Sequence, residues 1–284
     1  MTTFSPLVST QWLHNHLDDA NVRVIDIRGH VLPASEPPPH YFAHPDAYAE
    51  SHIPGAAFVD WTSDITDPHS PNGTQIATPD AYAALMGRLG IDDDTFVVAY
   101  DDANSMFASR LWWSLQYYGH ERAAVLDGGW DKWVAEDRPV TAALPQITPT
   151  VFTPRTNPAI RRTVDEVAAA IGGDTVLVDV RSPGEFAGDA SRAKRAGHIP
   201  GAVNLPRKTI VSDDGTLPDL DHLRQQFDAI GITPATQEVV IYCNGGVSAS
   251  YGLLALRLAG INNVALYDGS WKEWGNDDTR PIES

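Results

Sequence analysis

Four short motifs occur twice along this chain in the same order, and that repetition constrains its architecture more than any other feature. Ile25-Asp26-Ile27-Arg28 recurs as Val178-Asp179-Val180-Arg181, and His52-Ile53-Pro54-Gly55-Ala56 as His198-Ile199-Pro200-Gly201-Ala202. Val97-Val98-Ala99-Tyr100 recurs as Val239-Val240-Ile241-Tyr242, and Leu126-Asp127-Gly128-Gly129-Trp130 as Tyr267-Asp268-Gly269-Ser270-Trp271. The offsets of 153, 146, 142 and 141 shrink steadily, as they do when two copies differ in loop length. A period this long is not that of a solenoid and indicates a duplicated domain. We place the first copy at 1–140, a linker at 141–158 and the second copy at 159–284. Pro145, Pro149, Pro154 and Pro158 punctuate the linker, which has no clear periodicity.

Strand and helix patterns alternate in both copies. The expected fold is therefore α/β, two tandem domains, each a mostly parallel sheet flanked by helices. In the second copy Thr163-Val164-Asp165-Glu166 is a capping box that opens a helix ending at Gly172-Gly173. A strand at 176–180, a helix at 220–230 stopped by Gly231, a strand at 239–242 and a helix through Leu258 closed by Gly260 follow. In the first copy Thr78-Pro79-Asp80 starts a helix that Gly90 ends. Residues 33–44, with Pro37-Pro38-Pro39, read as a loop.

Cys243 is the only cysteine, and it follows the β-branched strand 239–242 directly. A strand, a short loop and then a helix put its sulfur at the strand's carboxyl end, facing loop amides and a helix N-terminus. Such a setting favours a thiolate and stabilises an anion bound to it. A lone thiol is more often a small buried hydrophobe. Gly245 and Gly246 argue against that here, because they let the backbone wrap closely around whatever sits on the sulfur. The candidate catalytic residue is Cys243, with Asn244, Gly245, Gly246, Val247 and Ser248 as the loop that binds substrate.

A single cysteine excludes a disulfide framework, and a reactive free thiol favours a reducing compartment, hence the cytoplasm. The segment Met1–Pro6 has no basic stretch followed by an apolar core, and no apolar run reaches spanning length, so neither a leader nor a membrane segment is expected. A net charge of −17 disfavours nucleic acid and anionic lipid as partners. Ten histidines supply no metal-ligand spacing beyond His14-x-His16, and no metal is expected.

These motifs together resemble the tandem-domain rhodanese family, the thiosulfate and 3-mercaptopyruvate sulfurtransferases, over nearly the whole chain. The resemblance rests on Asp-x-Arg after the first strand of each copy, His-Ile-Pro-Gly-Ala, the cysteine loop, and Tyr267-Asp268-Gly269-Ser270-Trp271-Lys272-Glu273-Trp274. It implies that Cys243 takes a sulfane sulfur from a small anionic donor, forms a persulfide and passes the sulfur to cyanide or a thiol. It implies no metal or organic cofactor, and we expect a monomer. Asp101 lines up with Cys243, and an aspartate in the first copy is also what the family shows; we read it as a solvated turn residue in a copy that serves as scaffold and cleft wall.

By the same resemblance, Asn244-Gly245-Gly246-Val247-Ser248-Ala249 looks like the loop of members that prefer 3-mercaptopyruvate, since thiosulfate users tend to carry Arg and Lys there. Two departures stand out. Gly245 and Thr62 fall where those members place a hydroxyl residue and an aspartate, and Glu185 falls where the family's substrate arginine would be. Positive charge must then come from elsewhere, and Arg192 and Arg195, with Lys194 between them, are the candidates. Duplicated His52 and His198 are expected to brace turns, duplicated Arg28 and Arg181 to form structural pairs, and Trp130, Trp133, Trp271 and Trp274 to be core. A phosphatase of the same fold would need an arginine six positions after the cysteine to clamp phosphate, and position 249 is Ala. A non-catalytic sulfur-carrier or docking protein of the same fold is the remaining alternative.

Overall fold

The computed structural model describes residues 5–70 and 73–284. Of the amino-terminal segment read above for a leader, residues 1–4 lie outside the described residues. The first domain contains β1 (Leu7–Val8), α1 (Thr10–Asn15), β2 (Val22–Asp26), β3 (Gly29–Val31), β4 (Tyr41–Ala43) and α2 (Pro45–Glu50). It continues through β5 (Ala57–Phe58), α3 (Pro79–Arg88), β6 (Phe96–Tyr100), α4 (Met106–Tyr117), β7 (Ala123–Leu126) and α5 (Gly129–Ala135). The second has β8 (Arg161–Arg162), α6 (Val164–Ala170), β9 (Val176–Asp179), α7 (Pro183–Phe186) and β10 (Val203–Asn204). After a 3₁₀ turn at Arg207–Ile210 come α8 (Leu220–Asp228), β11 (Val239–Tyr242), α9 (Val247–Leu258), β12 (Val264–Tyr267) and α10 (Ser270–Trp274).

The duplication is exact in topology. The first sheet runs β1-β7-β6-β2-β5, and the second, from the matching edge, β8-β12-β11-β9-β10. All pairings in both sheets are parallel. β6 and β11 therefore occupy the same central place, and their carboxyl ends are where an open parallel sheet binds ligands. Sequence signals match local structure closely in the second copy. The Thr163 hydroxyl accepts from the Glu166 amide and the Glu166 carboxylate from the Thr163 amide, a complete capping box. Gly231 and Gly260 end their helices at φ +78° and +93°.

The loop expected at 33–44 is only partly a loop. Its last residues form β4, antiparallel to β3 with Gly29 opposite Ala43 and Val31 opposite Tyr41. Apolar packing decides this, because Tyr41 sets its ring edge-on to Trp61 at 5.7 Å. Residues 142–157 have no helix or strand and lie along the first domain, with amides of Thr150 and Arg155 donating to the carbonyls of Gly87 and Tyr118.

The domains meet along α4 and α9. Every residue of α4 except Gln116 is buried, Ser109, Arg110 and Ser114 included. One apolar cluster runs from Trp113 and Leu111 through Leu253 and Leu254, so both domains share a core. The buried pair Arg110–Asp268, at 2.6 Å, ties α4 to the end of β12, and the Ile76 amide donates to the other oxygen of Asp268 at 3.0 Å. Among the described residues no helix is long and apolar enough to cross a membrane. Trp133, Trp271 and Trp274 are core; Trp130, expected to be core, is only half-buried, with the Arg28 guanidinium over its ring at 4.2 Å. His52 and His198 brace their turns through Nδ1 to the carbonyls of Tyr48 and Phe186, and Arg28 and Arg181 pair with Asp26 and Asp179.

Candidate active site

Cys243 leaves β11 as a free, buried thiol, and only four residues, 243–246, separate strand from helix. Gly246 makes the turn at φ +79°, left-handed backbone that a side chain would strain. The start of α10 then fixes the loop's orientation. The carbonyls of Cys243 and Asn244 accept from the amides of Trp271 and Lys272 at 2.9 and 2.8 Å, and the Cys243 amide donates to Ser270 Oγ at 3.2 Å. In a trans peptide the N–H points opposite to the C=O. Tying both carbonyls back to α10 therefore turns the amides of Asn244 and Gly245 the other way. Among the described residues, the amides of Asn244, Gly245 and Gly246 donate to no protein acceptor. Successive N–H groups at a helix N-terminus form a nest for an anion.

The first copy shows the same nest filled. Asp101 follows β6 as Cys243 follows β11, but five residues separate strand from α4. Its Oδ1 accepts from the amides of Ala103 and Ser105, both at 2.9 Å, and its Oδ2 from Phe107 and Ala108, both at 2.7 Å. Asp101 is 1 % exposed. It is not the solvated turn residue expected from the sequence: the carboxylate turns inward because four amides there need an acceptor. Burial raises its carboxyl above the usual range while the amides of Ala108 and Ala103 pull it back.

Cys243 opens into a cavity of about 300 Å³ whose walls come from both domains. Of the loop residues expected to bind substrate, Asn244, Gly245, Val247 and Ser248 line it. Gly246 sits behind, where a Cβ would come 2.9 Å from Arg110 Nη1. Gly245 faces Thr74 of the first domain so closely that a Cβ would meet its Oγ1 at 2.8 Å, so no side chain fits at that position. Ser248 is not the helix cap, and its hydroxyl reaches Met106 Sδ at 3.2 Å. Thr62 donates to Asp60 at 2.6 Å and is not part of the cavity wall.

The cations are arranged differently from expectation. Arg192 does line the cavity, but its Nη1 is 2.6 Å from Glu185 and its Nη2 donates to the Leu32 carbonyl at 2.6 Å. Glu185 also accepts from Asn244 Nδ2 and Ser182 Oγ at 2.8 and 2.9 Å. The carboxylate expected to repel a donor is thus neutralised within the wall. Arg195 is turned away: its guanidinium donates to the carbonyls of Trp274, Asp277 and Arg280, because the chain's end folds back over it. We remove it from the substrate-binding set.

Two of the wall residues that the sequence did not single out, Arg207 and Tyr41, carry polar groups of consequence. Arg207 lines the cavity and makes no ion pair among the described residues; its Nη atoms donate to the carbonyls of Asn104 and Ala103 at 3.0 and 3.4 Å. Burial lowers the guanidinium from its ordinary value, and the charges of Asp101, Tyr251 and Cys243 oppose that shift. Tyr41 also lines the wall, and burial pushes its phenol up to about 12. Neither a charge run nor a motif marks either one in the sequence.

Residues 9–136 and 163–277 each match the Rhodanese-like domain family. The sulfur carrier protein TtuD of Thermus thermophilus is 37% identical, with 95% of this chain and 93% of that protein covered. The thiosulfate sulfurtransferase of Gallus gallus is 34% identical, over 94% of this chain and 92% of the relative. The crystal structure of SseA from Escherichia coli, described with the mechanism of 3-mercaptopyruvate sulfotransferases, superimposes with a TM-score of 0.83 at 31% identity, covering 94% of this chain and 99% of SseA. Two matched units with one sheet order, one carrying a thiol over an open nest and the other a carboxylate in a filled one, place this chain in the rhodanese family as a tandem-domain sulfurtransferase.

Proposed function

We propose that this enzyme carries sulfur on Cys243, taking it from a small anionic donor with a modest preference for 3-mercaptopyruvate over thiosulfate, and delivering it to cyanide or a thiol. The observation behind the reading is one thiol beside loop amides that, among the described residues, are unengaged, in a cavity that also holds the guanidinium of Arg207, which makes no ion pair among those residues. The Cys243 thiolate attacks the donor's outer sulfur. An S–S bond forms, and the electron pair of the broken bond leaves with the remainder of the donor. The terminal persulfide sulfur is held as an anion by the amides of Asn244 and Gly245. Cyanide or a thiolate then attacks that sulfur, and the S–S electron pair returns to Cys243. Two half-reactions through a covalent intermediate give ping-pong kinetics.

The donor preference follows from counting charge. Among the described residues, Arg192 is cancelled by Glu185 and Arg181 by Asp179, which leaves Arg207 as the net cation facing the cavity. A single guanidinium suits one carboxylate, which it can grip with two parallel hydrogen bonds. Thiosulfate brings two negative charges close to the sulfur being transferred and finds amides there instead of a second cation. With cyanide as acceptor, kcat/KM for 3-mercaptopyruvate should exceed that for thiosulfate by about threefold to tenfold. A wild type favouring thiosulfate at low ionic strength would overturn the preference. Arg207→Met should lower kcat/KM for 3-mercaptopyruvate about 30-fold, roughly 2 kcal/mol, mostly through KM. Arg207→Lys should recover part of it.

The relative named a sulfur carrier favours a second reading, in which the acceptor is a protein thiol and only the second half-reaction differs. Discharge of preloaded persulfide by cyanide and by a protein thiol, compared at equal concentrations, separates the two. We propose a cytoplasmic location, since the one reactive thiol suits a reducing compartment, and a monomer as the working state.

A further inference from the structure

We propose that the Tyr41 hydroxyl is a catalytic hydrogen-bond donor, supplied by the first domain, to the carbonyl oxygen of a 2-oxo thiol donor as its carbon–sulfur bond breaks. The inference rests on the donor reading above. Tyr41 lies on β4, whose hairpin with β3 reaches over the second domain and forms a wall of the cavity. Its ring is fixed edge-on against Trp61, and Lys272 Nζ sits 5.2 Å from the ring centroid on the side of the second domain. Its hydroxyl is buried and, among the described residues, has no hydrogen-bond partner. A buried hydroxyl without an acceptor is costly unless a ligand supplies one. Of the other hydroxyls of the wall, Ser182 is spent on Glu185 and Ser248 on Met106, while Thr74 Oγ1 packs against Gly245 of the cysteine loop.

The chemistry calls for such a group. When the Cys243 thiolate attacks the thiol sulfur of 3-mercaptopyruvate, the S–S bond forms and the C3–S bond breaks. The released electron pair flows into the neighbouring carbonyl and gives the enolate of pyruvate. The persulfide S–H proton then moves to C3, which yields pyruvate and the persulfide anion held by the loop amides. No external oxidant or reductant is needed. Negative charge thus gathers on the carbonyl oxygen in the transition state, where a fixed neutral donor counts most. Burial keeps the phenol protonated across the working range, so it donates throughout without surrendering its proton. Polysulfide has no such oxygen, and thiosulfate releases sulfite, so neither builds an enolate.

The test is Tyr41→Phe, which keeps the ring and removes only the hydroxyl. Single-turnover loading of Cys243 is followed by mass with 3-mercaptopyruvate, thiosulfate and inorganic polysulfide as separate donors. Loading from 3-mercaptopyruvate should slow about a hundredfold, with half-saturation nearly unchanged. Loading from the other two, and discharge to cyanide, should stay within about threefold. A variant that loads from 3-mercaptopyruvate at the wild-type rate, or slows equally with all three donors, overturns the assignment. A wild type that loads from thiosulfate but never from 3-mercaptopyruvate overturns the donor reading and this one together.

Discussion

Cys243→Ser is expected to reduce sulfur transfer to background with every donor while leaving the fold intact. Serine fits the site, because Cys243 contributes a small buried side chain whose backbone, not its sulfur, is tied to Ser270 and Trp271. The hydroxyl, however, is a poor nucleophile at its ordinary pKa and forms no bond to sulfur that could be discharged. No second thiol exists to take over, since Cys243 is the only cysteine in the chain. Mass spectrometry of the intact protein after treatment with donor should find one added sulfur on wild type and none on the variant. Turnover above background in the variant, or sulfur on it, would remove Cys243 from the centre of the reaction. Denaturation midpoints of the two proteins should agree within a few degrees.

Much of this was written in local sequence. The repeated motifs announce two copies of one α/β unit, which the matching sheet orders bear out, and the Thr163–Glu166 box and the glycines at 231 and 260 mark helix ends that the structure reproduces. Those signals are legible because each acts through residues a few positions apart. The site is less so. Arg207 stands 36 positions before Cys243 in Pro206-Arg207-Lys208, a pair of basic residues that reads like any solvated surface. Its role comes from tertiary closure, when the 3₁₀ turn at 207–210 brings it against the carbonyls of residues 103 and 104 of the other domain. Tyr41 is hidden in the same way behind a proline-rich stretch. Arg195 reads as available because nothing nearby in sequence predicts that the chain's last segment will cover it. Asp101 misleads for a different reason. Its partners are backbone amides, which every residue except proline carries, so the residue types around it announce nothing.

That misreading makes Asp101 the residue whose loss should destabilise the first domain most for so small a change. Asp101→Ala removes the acceptor of four amides, those of Ala103, Ser105, Phe107 and Ala108, in a place almost sealed from water. An orphaned buried donor costs about 1–3 kcal/mol, and four of them would cost far more than any single substitution usually does. Two effects reduce the sum. The variant no longer has to bury a charge, whose cost is evident in the raised carboxyl, and the space vacated by the carboxylate can admit water. We expect a net loss of about 2–4 kcal/mol, with Asp101→Asn less severe because one oxygen remains as acceptor. Catalysis should respond much less, within about tenfold per folded molecule, because the carboxylate touches no reacting atom. Whatever change there is should appear in donor KM, since Ala103 and Asn104 of the same loop hold Arg207. Denaturant melts should be paired with kinetics well below the variant's midpoint. An unchanged midpoint would mean that the carboxylate does not hold its loop. A loss of more than about a hundredfold in rate with the fold intact, near 2.7 kcal/mol of transition-state stabilisation, would mean that the first domain takes part in the chemistry through Asp101 itself.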